Sequence, residues 1–160
     1  MNAHEDPSAS PPHRPHVGPL ERTLNDVESF HGHLGPYVIL GLRMGAAALK
    51  TLAAEAYFGV HVKVLCSPKT PQSCLIDGLQ LATGATLGKQ NIQLVPSEAI
   101  QVEITDTQTG RRVVLAPTEK LLAQMKVWTK DGTPLPQRAR QLFAWTDEEL
   151  FVRQETHKEA

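Results

Sequence analysis

The stretch Pro36-Tyr37-Val38-Ile39-Leu40-Gly41-Leu42-Arg43-Met44-Gly45-Ala46-Ala47-Ala48-Leu49-Lys50-Thr51-Leu52 sets the terms for the rest of the chain. It opens on a proline, which suits the first position of a helix. Its apolar residues lie on every side and not along one stripe, a pattern that belongs to a helix buried all round. The pattern predicts a helix over residues 36 to about 56. Its most apolar part, Tyr37 to Leu49, is interrupted by Arg43 and too short to span a bilayer, so it reads as a core helix. Gly41 and Gly45 stand one turn apart and would let a second element come close to its backbone.

Downstream, Val60, Val62, Val64 and Cys66 alternate with His61, Lys63 and Leu65, which predicts a strand. A helix should follow, with Thr70 as its N-cap and Pro71 at its first position. It carries Cys74, Asp77, Gly78 and Leu81 and ends in the glycine-rich turn at residues 84–88. Ile92 and Leu94 suggest another strand. Ile100, Val102 and Ile104 alternate before a turn at 106–110 that leads into 112–115, a hairpin signal. Short helices close the chain. One starts at Pro117 with Leu121, Leu122, Met125 and Trp128, and another holds Leu142 and Phe143. In the last, Thr146 and Glu149 form a capping box before Leu150 and Phe151.

Upstream, a short helix is expected from Pro19, with Leu20, Leu24 and Val27 on one face and Gly32 near its end. Helices segregated around an antiparallel hairpin predict an α+β fold. Residues 1–18, rich in Pro, Ser and His, read as a disordered tail. Residues 19–155 then make one domain, and 156–160 a frayed end.

The 160 residues suit one domain, and 41% hydrophobic and 21% charged residues are ordinary for a globular protein. A net charge of −1 with interspersed signs gives no footprint for nucleic acid or an anionic membrane, and 5% aromatic residues argue against base stacking. Residues 1–19 hold no continuous apolar run, so no secretory signal is read there. Cys66 and Cys74 are too few for a disulfide framework, and the expectation is a cytoplasmic protein with reduced thiols.

Three segments carry chemistry. In Phe30-His31-Gly32-His33-Leu34-Gly35-Pro36 two imidazoles flank a glycine just before the core helix. Imidazole is a ligand for zinc, nickel, copper or iron, and a helix N-terminus favours an anion. Two capping or surface histidines explain the spacing equally well. Cys74 with Asp77 is the second: a thiol early in a helix has its anion favoured, and Asp77 lies on the same face to bind metal, orient a histidine or act as a base. A buried structural cysteine beside a solvated aspartate is the alternative; Cys66, on the apolar face of its strand, reads as core. The third is Thr83-Gly84-Ala85-Thr86-Leu87-Gly88-Lys89-Gln90-Asn91. It is one residue short of a phosphate loop, follows a helix, and has Gln90 where a magnesium-binding hydroxyl belongs, so a nucleotide triphosphate site is rejected.

Together these segments resemble the FmdE family of formylmethanofuran dehydrogenase components. The first signature is Phe30-His31-Gly32-His33, then Pro36 and Leu40-Gly41-Leu42-Arg43-Met44-Gly45; the second runs Cys74-Leu75-Ile76-Asp77-Gly78-Leu79-Gln80 and Thr83-Gly84-Ala85-Thr86-Leu87-Gly88-Lys89. The resemblance covers about residues 20–152. It implies a mixed, largely antiparallel sheet packed against helices, a homodimer, and a transition-metal pocket. Carried over, His31, His33 and Cys74 are the implied ligands, for zinc first and iron or nickel as alternatives. Asp77, Thr83, Thr86 and Lys89 become pocket or supporting residues, and a small-molecule ligand is an accompanying expectation. Gly35 stands where many members have a cysteine, Gln90 replaces a usual glycine, and a cysteine-rich tail found in some members is missing. Two roles follow: an accessory, delivery or sensing protein, or a metal-dependent enzyme, hydrolytic or redox, with an open metal position.

Overall fold

The computed structural model describes residues 15–157, and the core stretch there forms helix α2 (Pro36–Leu52), preceded by α1 (Leu24–His31). Strand β1 (Val60–Cys66) and helix α3 (Leu75–Thr83) follow, then strands β2 (Ile92–Pro96), β3 (Gln101–Asp106) and β4 (Arg111–Pro117). Helices α4 (Glu119–Asp131), α5 (Leu135–Phe143) and α6 (Asp147–Leu150) lead into the last strand, β5 (Phe151–His157). The sheet order is β2-β1-β3-β4-β5, parallel between β1 and β2 and antiparallel elsewhere. The fold is α+β with a mixed, mostly antiparallel sheet, as expected.

The inward strand positions are the alternating ones read from sequence: Val60, Val62, Val64 and Cys66, with Val102, Ile104, Val113 and Leu115, are buried in one core with α2. Ile39, Leu40, Met44 and Leu49 of α2 are fully buried in that core. Helix α3 crosses α2 backbone to backbone. A Cβ added to Gly41 would overlap the Leu75 carbonyl oxygen, and one added to Gly78 would overlap that of Val38. Only glycine allows this contact.

Several boundaries move. Helix α2 stops at Leu52 and not near 56, because residues 54–56 pair with 16–18. The Gly18 amide donates to the Ala54 carbonyl (2.8 Å), and the Ala56 amide to that of His16 (2.7 Å). Residues 16–18 are therefore tied to the domain and not part of a free tail; the rest of the expected tail, 1–14, lies outside the described residues. The first helix starts at Leu24, behind a Thr23 cap that forms a box with Asp26, and not at Pro19. Residues 20 and 22 instead bond the end of α3, Leu20 through its amide to Ala82 and Arg22 through Nε to Leu81. At the other end, the capping box of Thr146 and Glu149 is present, but α6 gives way at once to β5. Thr156 and His157 pair with Arg112 and Arg111, so this end is a strand and not frayed; residues 158–160 lie outside the described part. No helix among the described residues is long and apolar enough to cross a membrane.

Candidate metal centre

His31 is the last residue of α1, and Gly32 follows in a left-handed turn (φ 91°) that ends the helix. The chain then reaches Gly35, the N-cap of α2, which has no side chain to cap it. This short reversal stacks the two imidazoles, with ring centroids 4.6 Å apart and a 40° tilt. Opposite them, the start of α3 differs from expectation. Residues 72–74 form a 3-10 turn, and Cys74 is the N-cap of α3 and not a residue inside its first turn. Gln72 draws this turn toward β1 by accepting the Ser67 amide (2.6 Å).

Asp77, in the first turn of α3, faces His31, whose Nδ1 lies 2.6 Å from its Oδ2. A carboxylate only accepts, so the shared hydrogen sits on Nδ1, which leaves Nε2 as the atom whose lone pair would bind a ligand. That Nε2 is buried and has no partner among the described residues, in a side chain only 7% exposed. His31, His33, Gly35 and Cys74 line one small cleft of about 20 Å³, with Pro36, Tyr37, Val38, Pro71 and Leu135 completing its wall. The Cys74 thiol is pushed up from its ordinary range, by burial first and by the charge of Asp77 second.

Residues 30–157 match the family described as "FmdE, Molybdenum formylmethanofuran dehydrogenase operon". The chain belongs to the FmdE family. Among solved structures, the fold resembles a tungsten formylmethanofuran dehydrogenase FmdE-like protein from Syntrophus aciditrophicus. The TM-score is 0.59 at 21% identity, over 85% of this chain and 71% of that one. A protein of Archaeoglobus fulgidus named "Probable S-adenosyl-L-methionine-binding protein" is 40% identical over 75 residues, 46% of this chain and 20% of its own. The FmdE-family chain thus spans about a fifth of that relative's length.

Within this FmdE-family domain, the implied ligands His31, His33 and Cys74 share a cleft. They do not close on one point: among the described residues no three His, Cys, Asp or Glu side chains converge as a ready-made cluster. The donor set nevertheless suits an ion, because a buried Nε2 backed by a carboxylate is the arrangement of a metal-ligating histidine. A Cβ on Gly35 would lie 3.5 Å from His33 Nε2, so the position where many FmdE members carry cysteine points at this imidazole.

Thr83, Thr86 and Lys89 are not brought to the cleft. Thr83 is the last residue of α3, roughly 13 Å along its axis from Cys74, and Thr86 and Lys89 follow in the turn beyond it. Thr83 is fully buried and ends the helix, donating to the Leu79 carbonyl (2.7 Å) and accepting the Ala85 amide (3.1 Å). Thr86 accepts the Lys89 amide, and the Lys89 ammonium lies over the Tyr57 and Phe58 rings at 5.7 and 5.9 Å. The sequence reading missed Tyr37, Pro71 and Leu135 as cleft walls. Tyr37, a ring with a polar tip in an otherwise aliphatic helix, was a readable signal. Leu135 was not, because it arrives from α5 through tertiary packing alone.

Proposed function

We propose that the cleft holds a divalent transition ion on His31 Nε2, the His33 imidazole and the Cys74 thiolate, in a protein with an accessory, delivery or sensing role. The carrying observation is the buried, unpartnered Nε2 of His31 with Asp77 fixed behind it. Leaving such a nitrogen dry costs about 1–3 kcal/mol, which a ligand at that position would recover. Zinc is the first ion to test, with iron and nickel next; bound there, it would supply a Lewis acid. Asp77 holds the His31 ring in the ligating tautomer and so acts as an orienting group and not as a base. The family kinship further suggests a homodimer, and the two free thiols suit a reducing, cytoplasmic setting.

One observation favours a second reading, an enzyme with an open metal position. Gly35 leaves space beside His33 Nε2 where a thiolate would otherwise stand. The ligand in the archaeal relative's name is not carried over, since a cleft of about 20 Å³ accommodates an ion or a water and not a nucleoside.

Elemental analysis of untagged protein purified without chelators, beside the variant His31→Ala/His33→Ala/Cys74→Ala, tests the proposal. Near-stoichiometric metal in the parent and none in the variant is expected; equal content in both overturns it. Because the Cys74 thiol is held protonated, zinc uptake through it must release a proton. Affinity should therefore rise with pH between about 6 and 9, by up to about tenfold per unit, and the slope should flatten in Cys74→Ser.

A further inference from the structure

A cavity much larger than the histidine cleft lies elsewhere. It lies on the sheet face turned away from α2, measures about 480 Å³, and shares no lining residue with the histidine cleft. That volume falls in the roughly 300–1,000 Å³ range of small-molecule sites. The strand register builds its floor from two polar rows. His61 on β1 stands opposite Thr105 on β3, which stands opposite Arg112 on β4. In the adjacent row Gln93, Lys63 and Glu103 are cross-strand neighbours on β2, β1 and β3.

The charges in these rows do not cancel. Lys63 is 3.6 Å from Glu103, so that pair is matched. Arg112 pairs with no carboxylate among the described residues. Its Nε donates to Thr156 Oγ1 on β5 (3.2 Å), which fixes the plane of the guanidinium, while its two Nη nitrogens have no hydrogen bond or ion pair among the described residues. A half-buried guanidinium held by its Nε presents a pair of parallel N–H donors, the geometry that grips two oxygens of one carboxylate or phosphate. His61 and Thr105 flank it in the same row and can complete the shell of such an oxyanion.

We propose that this sheet face is a binding site for a small organic anion, a phosphate ester or a free carboxylate, whose oxyanion sits on Arg112. The remaining volume, floored by Lys63, Glu103 and Gln93, takes the ligand's polar body. Glu103 opposes the anion and sets an upper limit on how tightly a bare oxyanion binds.

The test is an amide NMR titration of the full chain with inorganic phosphate, with chloride at matched ionic strength as control. Saturable shifts at Thr105, Arg112 and Thr156 are expected with phosphate and not with chloride. Arg112→Gln should weaken binding by about tenfold or more, the loss of a charge-assisted bidentate contact. Glu103→Gln should move it the other way, tightening it by roughly three- to tenfold, because a like charge is removed. Both changes lie on the solvent side of the sheet, and the same spectra report whether each variant is folded. Shifts that follow ionic strength alone, or an affinity unchanged in Arg112→Gln, would overturn the site. So would a face already closed by a second copy, seen as a dimer mass with these amides silent to phosphate.

Discussion

The two ends of α3 are built from the same kinds of residue and left in opposite states. At its C-terminal end the buried polar side chains of the turn are hydrogen-bonded. Asn91, 5% exposed, donates to the Tyr57 and Val60 carbonyls (2.7 and 3.0 Å) and accepts the Thr86 amide (3.1 Å), while Thr83 closes the helix. At the N-terminal end His31 has one nitrogen bound to Asp77 and the other buried with nothing. Satisfied polar groups stabilise a fold, whereas a buried group left without a partner costs free energy that a ligand placed there would recover. The difference lies in hydrogen bonding, since hydroxyls, amides and charges occur at both ends.

Four substitutions would break or sharpen that contrast. Gly78→Ala strikes the crossing that both ends depend on, and should cost roughly 3 kcal/mol or more, read as a collapse of the urea midpoint. Asn91→Ala leaves two carbonyls and an amide without their partner. It should cost about 2–3 kcal/mol by the same measurement, and a loss near zero would mean that the C-terminal end is not polar-braced. Gln90, forced into the left-handed region at φ 58°, should gain about 1 kcal/mol as Gln90→Gly, seen as a higher melting temperature. His31→Leu should change the stability of the metal-free protein by no more than about 0.5 kcal/mol, since relief of the buried, unpartnered Nε2 offsets the lost bond to Asp77, whose carboxylate is exposed enough to take up water instead. If it cost as much as Asn91→Ala, the two ends would be alike after all.

The parts of the fold that were legible in sequence are those where burial and period speak together. Val60 to Cys66 alternate because one face meets the core, and the apolar circumference of α2 follows from its central place. That a second element could approach at Gly41 was also readable, though not that it is α3 or that it meets Gly41 at Leu75. β5 was not: apart from Phe151, its residues are mostly exposed and polar, and only pairing with β4 makes them a strand. At the site, the histidines and Cys74 could be singled out by residue type. Orienting a histidine was one of the roles the sequence left open for Asp77; that the histidine is His31 needs the crossing of α2 and α3 to bring distant segments together. Thr83 and Lys89 misled for the opposite reason: their motif looked like a ligand loop, whereas its hydroxyls are used up in ending a helix.

The contact between α2 and α3 has an evolutionary side. What a methyl at Gly41 or Gly78 would strike is a carbonyl oxygen, of Leu75 or of Val38, and not a neighbouring side chain. Side-chain neighbours can be exchanged for smaller ones over generations, so most tight positions drift in compensating pairs. A main-chain oxygen is the same atom whatever residue bears it. No second substitution nearby can make room, and descendants that keep this crossing keep both glycines however far the rest of their sequence diverges.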